Sequence, residues 1–323
     1  MACRPSARSG MALILTLSAI VLAGGLALLL QARAVALART EKTELRRERL
    51  RVAAAEAARE ALWTLAADED LNVDHPGEDW ALPRASDRED GVSTFAVIED
   101  AGRFYNWNNL AVSNRASRTP VNILVDLMTF CGDFSPLVRV EALADYLDAD
   151  DEGTYESAFY RRRTPPWSPP NRLLWAPAEL LRVHEFSPEL FRPRDRTRSD
   201  ELFNGDLASC AVVVPAAILE PVPVNVNTAG REVLMGLTGL EQEAAVRTLL
   251  ALRQVKPFES LSMMFMASPE LAAALEGSIG TSSVFFRVRA RASLDGQSRT
   301  VMAWVRREAS GDIRILQWLE GEG

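Results

Sequence analysis

The feature that most constrains this chain is a run of twenty residues without charge, Met11–Leu30, close to the N-terminus. A helix of about 20 apolar residues is long enough to cross the hydrocarbon core of a bilayer. Arg4 and Arg8 precede the run, and basic residues before a first membrane helix favour a cytoplasmic N-terminus. The run therefore predicts a single-pass membrane segment at residues 11–30, with everything after it outside the cytoplasm.

Three interpretations of this N-terminus compete. A secretory signal would be cut at Ala32–Ala34, which has the A-x-A pattern, but the apolar run is longer than a usual signal core and Arg33 lies inside that site. An uncleaved signal anchor is the second interpretation. The third is a prepilin-type leader, residues 1–10, cut between Gly10 and Met11, so that the apolar run stays on the mature protein.

The residues after the run favour the third interpretation. No glycine or proline occurs between Gly25 and Pro76. Arg33–Ala67 is dense in Ala, Arg, Glu and Leu, which are strong helix formers. We predict one continuous helix from Met11 to Ala67, about 85 Å long at 1.5 Å per residue. Helical spacing assigns its body-facing apolar stripe to five residues, which are Leu45, Val52, Ala55, Leu62 and Leu65.

Strand patterns lie on both sides of a long helical region. His75–Asp90 is rich in Pro, Asp, Glu and Gly and predicts a loop. Val92–Ile98 and Arg103–Trp107 then predict a hairpin. Near the C-terminus, alternating apolar and polar residues predict a three-strand antiparallel meander, with strands at Ser283–Ala292, Arg299–Arg306 and Asp312–Leu319.

Between these strands, apolar residues recur at helical spacings. The predicted fold class is therefore α+β: a pilin-like long N-terminal helix packed on an antiparallel sheet, with a large all-α insertion. The long helix and first strands occupy residues 31–113. The insertion, which resembles a helix-hairpin-helix, occupies residues 114–274. Residues 275–323 form the meander that completes the sheet.

Several segments occur in the order typical of one family. They are the leader, the Ala-rich helix, Asp145–Gly153 (DYLDADDEG), the proline-rich Pro165–Asn171 and Val224–Ala229 (VNVNTA). Together they resemble type II secretion system protein K, the large minor pseudopilin. The resemblance implies a structural subunit at the tip of a periplasmic pseudopilus, which supports export of folded proteins across the outer membrane. It implies a bacterial inner-membrane anchor and, as partners, the minor pseudopilins I and J and the major pseudopilin.

The resemblance also implies how the N-terminus is processed. Prepilin peptidase would cut after Gly10, and the new N-terminus at Met11 would be methylated. In most pilins the fifth mature residue is a glutamate, which is thought to neutralise the N-terminal amine of a neighbouring subunit. The equivalent residue here is Leu15, and no acidic residue lies between Met11 and Leu30.

Asp148–Gly153 (DADDEG) resembles the opening of a calcium-binding loop. Alternating oxygen ligands followed by a glycine suit a hard cation. The twelfth position of such a loop, a bidentate Glu in an EF-hand, is Phe159 here, and a solvated acidic helix end is the alternative. The family resemblance implies calcium in the insertion, with ligands expected among five residues: Asp145, Asp148, Asp150, Asp151 and Glu156.

Val224–Phe258 resembles a helix-hairpin-helix, which raises a second candidate function, a membrane-tethered DNA-binding protein of a DNA-uptake system. DNA-binding hairpins are glycine-rich, so that backbone amides can approach phosphate. This hairpin keeps Gly239 but also contains Glu241 and Glu243, so we expect no nucleic-acid partner. Asn225 and Asn227 are expected to bond nearby backbone groups, as Asn does in caps and turns.

Composition argues against catalysis and against polyanion binding. The chain has two histidines and a formal charge of −8, and it contains no G-x-S-x-G, P-loop or HExxH motif. We therefore predict that it is not an enzyme.

Its three cysteines, Cys3, Cys131 and Cys210, have no metal-binding spacing. Spacing cannot show whether Cys131 and Cys210 pair, and two reduced core thiols are the expectation.

Overall fold

A computed structural model describes residues 7–112, 118–192 and 207–322, with side chains from residue 11 onward. Its first element, α1, is one helix from Ala7 to Ala66, 60 residues long, which corresponds to about 90 Å. The helix runs without a break through the Gly10–Met11 boundary and on from the apolar run into the folded body. The predicted continuous helix is therefore confirmed.

The C-terminal third of α1 packs on the sheet. Its buried stripe is made of residues spaced by three or four, namely Leu50, Ala54, Ala58, Ala61 and Leu65. Three of these five residues are alanines, so the helix backbone can approach the sheet closely. The facing strands contribute small and branched residues to the same core, among them Val288, Ala290 and Ala303.

The predicted stripe was therefore partly wrong. Ala55, Leu62 and Leu65 are buried, but Leu45 is 60% exposed and Val52 is 39% exposed. Both residues lie on the side of α1 that faces away from the sheet, as does Trp63, which is 76% exposed. The alanines, which a hydrophobicity pattern weighs lightly, are the residues that contact the sheet.

The main sheet has five antiparallel strands in the order β1-β2-β7-β8-β9. Their bounds are β1 Arg84–Asp87, β2 Ser93–Asp100, β7 Phe285–Leu294, β8 Gln297–Arg307 and β9 Ile313–Glu322. The last three strands are the predicted meander, which is confirmed. In β7, apolar residues that face α1 alternate with exposed arginines.

The predicted N-terminal hairpin is wrong. Strand β2 pairs with β1, inside the predicted loop, and with β7, where Asp100 lies opposite Phe286. After Asp100 the chain leaves the sheet, because the Asp100 carboxylate accepts the Gly102 amide at 2.7 Å and holds a short 3₁₀ turn. Tyr105–Asn106 (β3) then pairs in parallel with Ala211–Val212 (β4).

The chain between β2 and β7 forms a second body with a core of its own. Its helices are α2 Pro120–Phe130, α3 Pro136–Leu147, α4 Ser157–Tyr160, α5 Arg231–Thr238, α6 Glu243–Val255, α7 Leu261–Ala267 and α8 Pro269–Leu275. A short parallel pair, Val224–Asn225 (β5) with Ile279–Gly280 (β6), closes this body beside the main sheet. The boundaries 114–274 stay a prediction.

Two ion pairs show where the second body lies along α1. Arg46, in the part of α1 nearer the apolar run, pairs with Asp295 in the β7–β8 turn at 2.9 Å. Arg307, at the other end of β8, pairs with Asp68, just past the end of α1, at 2.6 Å. The end of β2 and the start of β7, where the second body is inserted, are therefore at the end of the sheet farthest from the apolar run.

A buried polar network joins the two bodies. Arg307 is 5% exposed and pairs with Asp74, which is fully buried, as well as with Asp68. Asn225 donates to the Asp74 carbonyl and to the Asp100 carboxylate, each at 3.0 Å. Because these bonds connect the end of α1, the sheet and β5, they fix how the insertion is seated on the pilin-like body.

Candidate metal centre

The acidic loop between α3 and α4 brings three carboxylates together. One oxygen each from Asp145, Asp148 and Glu156 lies within 4.8 Å of the others. Helix α3 supplies Asp145 in its last turn, Asp148 is the residue that caps this helix, and Glu156 caps the start of α4. Two helix ends and the turn between them therefore converge on one point.

Glu156 is the most informative of the three residues. It is 3% exposed, and neither carboxylate oxygen has a hydrogen-bond partner among the described residues. Oδ1 of Asp148 is also buried without a partner in that part of the chain. Burial, followed by the charges of Asp148 and Asp145, raises the pKa of Glu156 to about 7. Buried polar groups are normally hydrogen-bonded, so these oxygens are free to accept a bond from a positive partner.

Asp145 is fixed by the loop that follows it. Its Oδ2 accepts the amide of Tyr155 at 2.7 Å. Gly153 passes so close that a Cβ at that position would lie 2.5 Å from the same oxygen. The glycine of the DADDEG pattern is therefore required because the backbone lies against a carboxylate, and any side chain there would displace Asp145.

The structure does not bring Asp150 and Asp151 into this group. Oδ1 of Asp150 accepts the amide of Glu152 at 2.9 Å, and Oδ1 of Asp151 accepts the amide of Ser157 at 3.1 Å. Loop amides therefore bond one oxygen of each carboxylate, and the Ser157 side chain also bonds Asp151. The pKa of Asp151 is lowered accordingly, chiefly by hydrogen bonds from Ser157.

The proline-rich segment holds the loop from outside. Asn171, at its end, has a positive φ of 47° and donates from Nδ2 to the carbonyl of Asp150 at 2.6 Å. Within the same segment, Trp167 packs against Tyr146 and Tyr160, with ring centroids 6.1 and 4.2 Å apart. The two sequence motifs of this region are thus parts of one structure.

The residues present fit a hard divalent cation. All three converging groups are carboxylates, and oxygen-only donor sets suit calcium. Asp145, Asp148 and Glu156 would hold the ion. When bound, calcium would supply the positive charge that offsets repulsion among the carboxylates. Its role would be structural.

The other predicted site residues lie elsewhere. Gly10, Met11 and Leu15 are all in α1, and Leu15 is 65% exposed. Asn225 and Asn227 are buried, and the Asn225 side chain accepts the Asn227 amide at 2.9 Å, a local turn of the kind expected. Their long-range bonds were not foreseen, because Asn227 also exchanges hydrogen bonds with the backbone of Phe258.

Sequence reasoning missed the charged residues of the junction, Asp74, Asp100 and Arg307. Asp74 lies between the predicted helix and the predicted loop, Asp100 in the predicted hairpin turn and Arg307 at the end of a strand. Nothing in their local sequence distinguishes them from surface charges. The only signal was VNVNTA, since a run with two asparagines between buried valines indicates polar groups that need partners in the core.

Comparisons with known proteins give one family match and one similar fold. Residues 102–193, which include the acidic loop and the proline-rich segment, match the model for type II secretion system (T2SS) protein K. This match covers 92 of the 323 residues, so a T2SS protein K domain is recognised in that part of the chain. The apolar, exposed part of α1 is the one helix of the described residues long and apolar enough to span a membrane.

A solved structure has a similar fold. One similar chain comes from the crystal structure of the GspK–GspI–GspJ complex of the enterotoxigenic Escherichia coli type 2 secretion system. It shares 20% sequence identity, with a TM-score of 0.67 over 88% of this chain and 100% of that chain. The predicted α+β fold is confirmed. A search of curated protein sequences gave no significant match.

The segment that resembles a helix-hairpin-helix places carboxylates at its hairpin. Gly239 has a φ of +98°, and a Cβ there would lie 2.6 Å from the Glu241 carboxylate. At the start of α6, Glu243 pairs with Arg231 at 2.7 Å and with Arg247 at 3.0 Å. A phosphate approaching the hairpin would meet these carboxylates, so the geometry favours a structural role.

Proposed function

We propose that this chain caps the type II secretion pseudopilus as its tip subunit and supports export of folded proteins across the outer membrane. It is held in the bacterial inner membrane by α1, and its two bodies lie in the periplasm. Its partners are the I-type and J-type minor pseudopilins, by analogy with the GspK–GspI–GspJ complex, and the major pseudopilin. Prepilin peptidase processes it between Gly10 and Met11, and methylation follows.

The observation that carries this proposal is the position of the insertion. The second body leaves the sheet at its membrane-distal end, between Asp100 and Phe285, and the Asp74–Arg307 network holds it there. Filament subunits related by helical symmetry need both ends of the body free for neighbours. A body of this size at the membrane-distal end of the sheet would obstruct the packing of another subunit there. The subunit is therefore expected at the end of the filament.

Leu15 also favours a place for this subunit at the end of the filament. A pilin with a glutamate at this place can compensate the N-terminal amine of a neighbour, whereas Leu15 offers no charge. Because a buried charge without a partner is costly, this subunit cannot receive a neighbour's amine. Its own amine at Met11 can still be compensated by a partner's glutamate. Such one-sided pairing fits the end of a filament and does not fit its shaft.

Processing at the leader is the first testable consequence. We expect the protein extracted from membranes to begin at Met11, because the peptidase cuts at the polar-to-apolar boundary and leaves the apolar run in place. Removal of Arg4 and Arg8 then changes the formal charge from −8 to −10. Mass spectrometry of the intact protein measures this. An N-terminus at Val35 would contradict the proposal, since it indicates ordinary secretion.

A substitution at Leu15 tests the terminal position. We expect Leu15→Glu to raise the number of copies per pseudopilus, because the subunit gains the carboxylate that shaft positions need. Leu15→Gln is the matched control, with a similar side chain and no charge, and it should leave the copy number unchanged. Labelled protein counted along isolated filaments gives the result. Wild-type protein spaced regularly along the shaft would rule out a cap.

A further inference from the structure

Two cysteines that are far apart in sequence meet in the core of the second body. Sγ of Cys131 and Sγ of Cys210 lie 3.5 Å apart, and the residues are 79 positions apart in the chain. Both are buried, with exposures of 5% and 1%. This separation is close to the van der Waals contact of two sulfur atoms and about 1.5 Å longer than a disulfide bond.

The backbone holds each cysteine in place. Cys131 is the residue that ends α2, and its amide donates to Leu127 at 2.9 Å. The carbonyl of Cys210 accepts the amide of Tyr105 at 3.0 Å, which extends the parallel pairing of β3 with β4. A bond between the two sulfurs would therefore join α2 to the short sheet that the chain enters after leaving β2.

The cysteine count also fits a pair. The chain has three cysteines, and Cys3 lies in the leader. Removal of residues 1–10 leaves an even number, with no third thiol to compete. In an oxidising compartment such as the periplasm, close thiols form and keep disulfides. In the cytosol the same pair would stay reduced.

We propose that Cys131 and Cys210 form a disulfide in the mature protein. This proposal rests on the proposed function, because it requires the second body to be periplasmic. The oxidant is a disulfide-bearing thiol oxidoreductase. The bond forms during folding, before the core closes over the sulfurs.

The disulfide forms in two successive thiol–disulfide exchange steps. One cysteine thiolate attacks a sulfur of the oxidant's disulfide, which breaks and leaves a mixed disulfide. The second thiolate then displaces the oxidant, and the new sulfur–sulfur bond joins Cys131 to Cys210. Two electrons pass to the oxidant, which leaves as a dithiol carrying the two protons that the cysteines gave up.

Thiol counting on the full-length protein tests the proposal. Cells are lysed in acid to stop exchange, and the protein is denatured and alkylated with and without prior reduction. We expect no label on the mature chain before reduction and two labels after it. Reduction should also lower the melting temperature of the protein in detergent by about 10 °C, because the bond closes a long loop. Cys131→Ala with Cys210→Ala should show no such shift. Two labels without reduction overturn the proposal for the chain in the cell.

A separate readout shows which idea has failed. Ser310 is exposed in the β8–β9 turn, and Ser310→Cys in the Cys131→Ala, Cys210→Ala background can be labelled by a thiol reagent that cannot cross the inner membrane. If Ser310→Cys is labelled in this variant while the unsubstituted chain keeps two reduced core thiols, the disulfide is refuted and the proposed location stands. If Ser310→Cys stays unlabelled, the proposed location fails. The purified full chain is then treated with oxidised glutathione, and persistent labelling of both cysteines would refute the pairing itself.

Discussion

Replacing Arg307 with methionine is expected to lower the free energy of unfolding by about 3–5 kcal/mol, which is the usual cost of removing one partner of a buried ion pair. Arg307 is 5% exposed, and methionine fills a similar volume without charge. The substitution leaves Asp74, which is fully buried, and Asp68 without their cation. Denaturation of the purified protein in detergent, followed by tryptophan fluorescence, measures the change in midpoint.

Arg306 provides a matched control. It is next in the chain and bonds Glu308 at 3.5 Å, with both side chains more than a third exposed. Exposed ion pairs contribute about 0–1 kcal/mol, so Arg306→Met should have little effect. Asp74→Leu together with Arg307→Met removes both charges and should recover part of the loss. If Arg307→Met proves as mild as Arg306→Met, the network does not hold the two bodies together.

Removing calcium is expected to destabilise the protein by about 3–4 kcal/mol when the ion is present at 100 to 1,000 times its dissociation constant. Chelation leaves the Asp145, Asp148 and Glu156 carboxylates facing one another within 4.8 Å. The melting temperature of the full chain, measured with calcium and then with chelator, reports the effect. An unchanged melting temperature would count against a calcium site.

Two variants separate the site from the loop around it. Glu156→Gln should abolish the response to calcium while leaving the chelated protein folded, since it removes a buried charge that has no partner. Asp151→Asn should keep the response, because an amide oxygen can still accept the Ser157 amide that Asp151 accepts. A response lost equally in both variants would mean that loop rigidity, and not direct coordination, is being measured.

The pH dependence of the chelated protein follows from Glu156. Its pKa in the folded protein is raised to about 7 from an ordinary value of 4.5, chiefly by burial. The stability that comes from the protonated form is fully present below pH 4.5 and is lost as pH rises through 7. We expect Glu156 to account for a loss of about 2 kcal/mol between pH 5 and pH 8. Burial also raises the pKa of Asp74 to about 7, so part of the loss persists in both proteins, and Glu156→Gln should lose about 2 kcal/mol less than the unsubstituted chain. Calcium should reduce this loss, and thermal melts at each pH measure it.

Elements with local sequence signals could be predicted before the structure was known. The charge-free run and the absence of glycine and proline between Gly25 and Pro76 predicted one long helix, because nothing there interrupts its backbone hydrogen bonds. Strict alternation fixed β7, β8 and β9. The spacing of DADDEG indicated oxygen ligands around a tight turn, and the order of the motifs indicated the family.

Which surfaces contact one another could not be predicted from local sequence. Leu45 and Val52 have the hydrophobicity of core residues, but the sheet lies on the alanine face of α1, where small side chains allow close approach. Asp150 and Asp151 fit a ligand pattern, but the oxygens that lie within 4.8 Å of one another belong to Asp145, Asp148 and Glu156. The partners of Asp100, Arg307 and Cys131 come from elements about 80 to 240 residues away in the chain. Such contacts depend on how the helices and strands pack in space, and local propensity carries no information about that.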